Sequence, residues 1–445
     1  MRDCSTEPIP IMNKGPKSND ALLLVLQLLY LAFFTGLVFA FHFLSSLSIG
    51  LILITGIVIN KIEHKPILHP NTKNFFLFAC ISFYILQFIS LLYTHNTHET
   101  WVHLRVKSEL IFVPLTLSCS DHITGTSRKK LMSLLCIVLF IASLYCLAIN
   151  TLNYIQHHDS SVFFYHALVS PLHQHAVLFS IYVFIILLYL IETAGKKDTA
   201  ATGFILRRKF HIFLILYFSI LLLFLSSKLV IFFYLLYIFH YAVKIFLKQK
   251  TKRATAVMLL LSGLLAAIFL VTTRNPVSNR FTQILNTDMN LVKQDKYDPG
   301  IYFNGVEFRL IQWKFVNEIL NENHCWWTGI SPGDAQNFLD KKYIEKNMYI
   351  GDPARGDHGY LRYNTHDQIL ESLLQSGIAG VLLFLLILFA LIRLAWKKKN
   401  LLLGFTVALL IAFSLIESVL ETQYALLLFT FFPLFLDNYE KGEES

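Results

Sequence analysis

Charged residues are scarce in this sequence. Only 15% of its 445 residues are Asp, Glu, Lys or Arg, whereas soluble domains carry about 25%. Hydrophobic residues make up 55% of the chain and aromatic residues 14%. This composition excludes an ordinary soluble protein and predicts an all-α polytopic membrane protein whose apolar helices face lipid.

The patterns of several other protein classes are also missing. The six cysteines are scattered without a Cys-x-x-Cys pair, so neither a disulfide framework nor a zinc site is predicted. The turn at Gly329 to Asp334 lacks the lysine and hydroxyl of a P-loop, which argues against nucleotide binding. The histidine-rich stretch 157–175 has no supporting carboxylate cluster, and we expect no metal ion or other cofactor.

The net charge of +9 is distributed in short basic clusters between apolar runs. This distribution argues against nucleic-acid binding, which favours a continuous basic patch. Residues 1–20 are polar and lack a cleavable signal pattern. We therefore expect the first apolar run to remain as an uncleaved membrane anchor.

Twelve apolar runs approach the roughly 20 residues that a membrane-spanning helix needs. The predicted spans are 21–40, 43–60, 75–94, 106–120, 131–150, 176–193, 211–227, 229–247, 254–273, 369–392, 400–417 and 421–436. The run 106–120 is short, and a re-entrant segment is the alternative there. The spans divide the chain into an N-terminal transmembrane bundle (1–273), one large polar loop (274–368), and C-terminal transmembrane helices with a short tail (369–445).

Basic residues in short loops predict the orientation of the bundle, because such clusters favour the cytoplasmic side. With the N-terminus inside, all five clusters fall on the inner side. They are Lys61/Lys65/Lys73, Arg128/Lys129/Lys130, Lys196/Lys197 with Arg207/Arg208/Lys209, Lys244/Lys248/Lys250/Lys252/Arg253, and Arg393/Lys397/Lys398/Lys399. Both termini are then cytoplasmic, and the loop 274–368 lies outside.

An amphipathic helix is predicted from Val306 to Asn321 in this loop. Its apolar stripe at helical spacing consists of Val306, Leu310, Trp313, Phe315, Val316 and Leu320. Arg309 precedes Trp313 by four residues and is expected on the same side of the helix. Its planar guanidinium suits either stacking on an aromatic ring or bidentate binding of a phosphate.

The loop closes on Thr365-His366-Asp367, where the chain enters the next apolar run. A histidine there can accept a proton at neutral pH, although helix capping or an interfacial position is an equally simple reading. Gly377 and Gly380 follow inside the run, where small residues allow close helix packing.

Several charges interrupt apolar segments on the predicted outer side. Lys228 stands between two apolar runs, and it either extends to the headgroups or binds an anionic substrate group. Arg105 and Lys107 form a second outer basic pair that suits interfacial anchoring. Glu417 and Glu421 flank the last outer turn at a spacing of four, with capping, ion pairing and participation in a site all open.

Together these motifs resemble the superfamily of O-antigen ligases and O-antigen polymerases. His366-Asp367, followed after nine residues by Gly377 to Gly380, is similar to that family's H-[NSQ]-x9-G-x-x-G signature, with Asp367 in place of the usual amide or serine. Arg309-x-x-x-Trp313 and Gly329 to Asp334 are similar to its R-x-x-x-W and G-V-G-x-G-D elements. Ser227-Lys228 falls where the family commonly has Ser-Arg.

The resemblance implies a GT-C-like fold and a metal-independent glycosyl transfer at the outer face of a bacterial inner membrane, in the periplasm. The donor would be an undecaprenyl-diphosphate-linked glycan, and the acceptor a sugar hydroxyl of lipid A core. His366 would be the general base, with Lys228 and Arg309 neutralising the diphosphate. Further substrate contacts are expected at Arg105, Trp313, Asp367, Gly377 and Gly380.

Other functions remain open at this stage. An O-antigen polymerase or a protein O-oligosaccharyltransferase of the same superfamily would use a similar site with a different acceptor. A non-enzymatic lipid or sugar transporter is the alternative from another class. Two similar halves are expected of such a transporter, whereas only the second half of this chain carries a large loop.

Overall fold

The computed structural model describes residues 17–66, 72–119, 125–194, 208–248, 287–352, 354 and 356–437. The regular elements within these ranges are helices, and no strand occurs among them. The predicted all-α membrane fold is therefore confirmed. The predicted span 254–273 lies outside the described residues.

The first part of the chain contains ten α-helices in the described ranges. They are α1 (Lys17–Val38), α2 (His42–Ile62), α3 (Thr72–Ile89), α4 (Thr97–Lys107), α5 (Glu109–Cys119), α6 (Gly125–His157), α7 (Tyr165–Val169), α8 (Ala176–Thr193), α9 (Arg208–Phe224) and α10 (Lys228–Lys248). The later helices are α11 (Met289–Lys293), α12 (Gly305–Glu322), α13 (Ala335–Glu345), α14 (Gln368–Lys398), α15 (Leu401–Ser414) and α16 (Gln423–Leu436).

Within the described residues, seven helices are long and apolar enough to cross a membrane. They are α1, α2, α3, α6, α8, α10 and α14. Three shorter apolar helices, α9, α15 and α16, accompany them. Each of these helices coincides with a predicted apolar run.

The predicted span 106–120 takes a different form. Helix α4 ends at Lys107, and α5 occupies only Glu109–Cys119 with Pro114 inside it. Eleven residues rise only about 16 Å. Nevertheless α5 runs along α2, because Ser46 donates to Glu109 at its start and Asn60 donates to the Cys119 carbonyl at its end.

Long-range polar contacts define two ends of the bundle. At one end, here called the loop end, His42 Nδ1 lies 2.8 Å from Gln423 Oε1, and Gln174 Nε2 donates to the Leu37 carbonyl. At the opposite end, Lys398 lies 3.2 Å from Asp437. Successive spanning helices therefore alternate in direction, which places the described members of the basic clusters together at the opposite end.

The large loop forms its own small core at the loop end. Helix α12 begins with a capping box between Asn304 and Glu307, two residues from the predicted start of the amphipathic helix. The core contains Phe308, Ile311, Phe315, Ile319, Leu339, Tyr343, Leu370 and Leu374. Because Leu370 and Leu374 belong to α14, the loop is packed onto the start of that spanning helix.

The apolar stripe predicted for α12 is buried in part. Phe315, Val316 and Leu320 of this stripe are buried, whereas Trp313 is 46% exposed. Phe308, Ile311 and Ile319, which the predicted stripe did not include, complete the buried face. Trp313 therefore lies outside the buried face of the helix.

Candidate functional site

His366 is held directly before α14 by the residue that follows it. Asp367 caps the helix, since its Oδ1 accepts from the amides of Ile369 at 2.8 Å and Leu370 at 3.1 Å. His366 adopts the left-handed conformation with φ +47°. The residue expected to be a base thus occupies a short, firmly anchored bend at the loop end.

The imidazole of His366 pairs with Glu417 from the turn between α15 and α16. Nδ1 of His366 lies 3.1 Å from Oε1 of Glu417. An ionised carboxylate can only accept a hydrogen bond, so this contact favours a proton on Nδ1. Nε2 of neutral His366 then carries the free lone pair that proton abstraction requires.

The surroundings of Glu417 favour its ionised form. Burial would raise the pKa of this carboxyl, but the hydrogen bond from His366, together with the charges of His366, His175 and Arg309, lowers the pKa below its ordinary value. Glu417 therefore provides a fixed negative charge that stabilises a protonated imidazole. Its partnership with His366 joins residues separated by 51 positions, which no local sequence pattern indicates.

Arg309 contacts the same bend from α12. Its Nη2 donates to the Ile416 carbonyl at 2.9 Å and its Nη1 to the Gly305 carbonyl at 2.8 Å. Its Nε donates to the backbone carbonyl of His366 at 3.4 Å. Burial lowers the pKa of its guanidinium, while Glu417 and Asp367 act to raise it. Arg309 thus ties the His366 bend to the Glu417 turn, and two of its five N–H groups remain beyond these three bonds.

Asp367 departs from the amide or serine of the family signature, and its position explains why this is tolerated. Aspartate, asparagine and serine are all good helix caps, and Asp367 performs that role. Burial raises the pKa of Asp367, while the two backbone hydrogen bonds and the charge of Arg309 act to lower it. The structure gives Asp367 a scaffolding role at the site.

Lys228 lies at the loop end, half-buried at the start of α10. The preceding helix ends at Phe224, whose ring packs against Phe164 at a centroid distance of 5.6 Å. Tyr165 follows Phe164, begins α7 and lies close enough to Arg309 to influence the pKa of its guanidinium. The end of the helix before Lys228 therefore packs beside α7, a short helix that the sequence did not predict.

Arg105 lies apart from this group, at the mouth of a groove between α2 and α5. The groove has a volume of about 750 Å³. Its polar end carries Arg105, His42, Glu109 and Gln423, while Phe43, Ile49, Leu53 and Phe112 are among its apolar walls. Gln423 connects the groove to the same turn that provides Glu417.

The glycines of the signature bring two backbone segments together. Gly377 interrupts α14 with φ +61° and ψ −159°, and Ile378 donates its amide to the Trp326 carbonyl at 2.8 Å. The carbonyls of Leu374 and Gln375 accept from Ile330 and Ser331. Gly377 therefore packs against the loop backbone, where the sequence predicted helix-to-helix packing.

Gly380 follows the interruption of α14 at Gly377 and leaves no room for a side chain. A Cβ at this position would lie 2.7 Å from the Ser372 carbonyl oxygen and from Ser376 Cβ.

The turn at Gly329 to Asp334 meets α14 from the other side and is fixed by Asp334. This carboxylate accepts from Thr94 Oγ1 at 2.9 Å and from the His95 amide at 2.8 Å.

Three expected site residues, His366, Arg309 and Asp367, thus lie together, and Glu417 joins them. Trp313 is exposed on α12, and Arg105 lies at the groove. Lys228 lies at the start of α10, in the turn that follows the helix end packed beside α7. In the part of the chain that the structure describes, no group of three or more His, Cys, Asp or Glu side chains is arranged to hold a metal ion.

The fold and this arrangement define a multi-pass membrane protein with a histidine–carboxylate pair and arginine at the loop end of its bundle. Residues 212–385 match the family model described as O-antigen ligase, which supports membership of the chain in the O-antigen ligase and polymerase superfamily. The match supports, in general terms, glycan transfer of the ligase or polymerase type. No curated protein shows a significant match to the chain.

Proposed function

We propose that the protein is an O-antigen ligase, which transfers a glycan from undecaprenyl diphosphate to a sugar hydroxyl of lipid A core at the periplasmic face of the inner membrane. The observation that carries this proposal is the 3.1 Å contact between His366 Nδ1 and Glu417 Oε1. This contact leaves Nε2 of His366 available to accept a proton at the membrane face. The protein needs no nucleophile of its own, because the lipid diphosphate of the donor is the leaving group.

The reaction follows from these groups. Nε2 of His366 takes the proton of the acceptor hydroxyl, and the acceptor oxygen forms a bond to the anomeric carbon of the donor sugar. The bond from that carbon to the diphosphate oxygen breaks, and the electron pair leaves with the lipid diphosphate. Lys228 and the remaining N–H groups of Arg309 stabilise the charge that develops on the diphosphate.

The groove beside Arg105 supports the lipid side of the proposal. Its apolar walls suit a hydrocarbon chain, and the exposed guanidinium at its mouth suits a phosphate headgroup. The groove reaches Gln423, six positions along the chain from Glu417. A lipid bound there would carry its headgroup beside the turn that carries Glu417, the partner of the proposed base.

Replacing His366 by alanine tests the base assignment. We expect transfer to fall by about 10²–10⁴-fold, the usual contribution of a positioned acid–base group, with membrane insertion retained and a lower unfolding temperature, since Glu417 loses its hydrogen bond from His366. His358→Ala removes an exposed histidine of the same loop and is the matched control. Wild-type transfer rates in purified His366→Ala protein would refute the assignment.

Deletion of the gene followed by glycan analysis distinguishes the acceptors. Loss of polymer from lipid A core, with lipid-linked polymer accumulating, is expected for a ligase. Single repeat units that remain attached to the core would indicate a polymerase. A defect confined to glycoproteins would indicate a protein O-oligosaccharyltransferase, and unchanged glycans with altered transport would indicate a transporter.

A further inference from the structure

A buried lysine lies beneath the proposed base. Lys107 of α4 has no solvent exposure, and its Nζ donates to Gln87 Oε1 at 3.1 Å and to Gln375 Oε1 at 2.5 Å. The same ammonium lies 3.0 Å from Glu421 Oε1. The ammonium therefore donates two hydrogen bonds, to side chains of α3 and α14, and forms an ion pair with the turn that precedes α16.

One of these contacts leads to His366. Gln375 donates to Glu371 Oε1 at 2.6 Å, and Glu371 Oε2 accepts from the amide of Thr365 at 3.1 Å and from its hydroxyl at 2.7 Å. Thr365 directly precedes His366. The ammonium of Lys107 is thus connected to the bend that carries the base.

The other contact leads to Glu417. Glu421 lies four residues after Glu417 on the same turn and also accepts from His103 Nδ1 at 3.0 Å. Burial would raise the pKa of Glu421, but Lys107 and His103 lower it, so the ion pair is maintained. The segments that carry His366 and Glu417 are therefore both connected to Lys107. The first connection runs through Gln375 and Glu371, and the second runs through Glu421.

We propose that Lys107 is a positioning residue for the His366–Glu417 pair. It holds the Thr365–Asp367 bend and the Glu417–Glu421 turn at the separation at which Nδ1 of His366 meets the carboxylate. Lys107 is inaccessible to substrate and acts only through these two segments. This inference rests on the proposed function, because it assumes that the pair performs the chemistry.

A role limited to charge compensation for Glu421 would predict something else. In that case a neutral pair at the two positions would restore both folding and activity. In the positioning role, a neutral pair restores folding but removes the connection between the bend and the turn that runs through Lys107, so that the two segments stay joined through the contacts of Arg309, Thr365 and Gln368. The decisive variant is therefore the double substitution Lys107→Met with Glu421→Gln.

The experiment measures kcat and KM of wild-type and variant proteins in lipid nanodiscs, with unfolding temperatures recorded in parallel. We expect the double variant to unfold near the wild-type temperature and to keep its KM values. Its kcat should fall by about 10²-fold, the effect of displacing a reacting group by about 1 Å. A wild-type kcat in the folded double variant would overturn the proposal.

A milder pair of variants tests the same idea without altering any charge. Gln375→Met cuts the connection from Lys107 to Glu371 and should lower kcat. Gln87→Met removes another acceptor of the same ammonium, together with the bond from Gln87 Nε2 to Ser376 Oγ, but leaves the connection from Gln375 to Glu371 intact. It is the matched control, with kcat retained. Equal effects of both variants would overturn the proposal. His366→Ala is assayed alongside: an active His366→Ala protein refutes the proposed function itself, separately from the role of Lys107.

Discussion

Glu417 determines which nitrogen of His366 is available for chemistry. Its carboxylate accepts from Nδ1 and, as an anion, stabilises the imidazolium that forms when Nε2 takes a proton. Glu417→Gln retains an acceptor oxygen but removes the charge. We expect a reduced kcat with a smaller loss than in His366→Ala, measured as transfer of lipid-linked glycan at saturating donor.

The pH dependence of stability provides the control for this variant. Because the pKa of Glu417 is lowered in the folded protein, its contribution to stability is fully present above the ordinary carboxyl pKa and is lost as the pH falls through the lowered pKa. The difference in unfolding temperature between wild type and Glu417→Gln should therefore be larger at pH 7 than at pH 4. A difference that grows on acidification would contradict this assignment.

Individual residues differ in how far the sequence could predict them. His366 and Arg309 stand out because their spacing to other motifs is local and regular. Glu417 was visible as an outer carboxylate, but its partner lies 51 positions away, and only folding reveals the pairing. In the sequence, Asp367 departs from the residue types of the family signature. In the structure it caps α14, a role that several short polar residues can fill.

Among the elements, the interruption of α14 accounts for the glycines of the signature. Gly377 occupies a backbone conformation that is essentially restricted to glycine, and an added Cβ would collide with the backbone of Trp326 and Trp327. We expect Gly377→Ala to lower the free energy of unfolding by at least the ~1–3 kcal/mol typical of such strain. Thermal unfolding in detergent measures the effect.

Gly404 offers a matched control within α15. A Cβ there meets nothing within 4 Å, and alanine is favoured over glycine in a helix by about 1 kcal/mol. Gly404→Ala should leave stability unchanged or improve it. Equal stability of the two alanine variants would mean that the interruption at Gly377 is not required.

Apolar runs predicted the spanning helices well because length and hydropathy alone determine them. The region 106–120 was harder, since Lys107 and Glu109 are buried through partners on other helices. Hydropathy treats such charges as exposed or unfavourable and cannot anticipate their partners. Helix α12 was placed almost correctly, and of its predicted stripe Phe315, Val316 and Leu320 are buried while Trp313 is exposed.

For the whole molecule, the alternation of helix direction collects charge at one end and chemistry at the other. Described basic residues such as Lys61, Arg128 and Lys398 lie at the opposite end, away from His366. The positive-inside tendency then predicts that the loop end faces the periplasm. A lipid-linked glycan exposed on that face would meet the His366–Glu417 pair without crossing the membrane.

Labelling of introduced cysteines tests this orientation directly, because the native Cys80, Cys119, Cys136 and Cys146 are buried. Lys341 on the loop is 72% exposed, and Lys397 lies at the opposite end of the bundle, near the end of α14. Each is replaced by cysteine in a background in which Cys4 and Cys325 are changed to serine. A membrane-impermeant maleimide applied to spheroplasts should label Lys341→Cys and leave Lys397→Cys unmodified until the membrane is broken. The reverse pattern would place the base on the cytoplasmic side and remove the periplasmic acceptor from its reach.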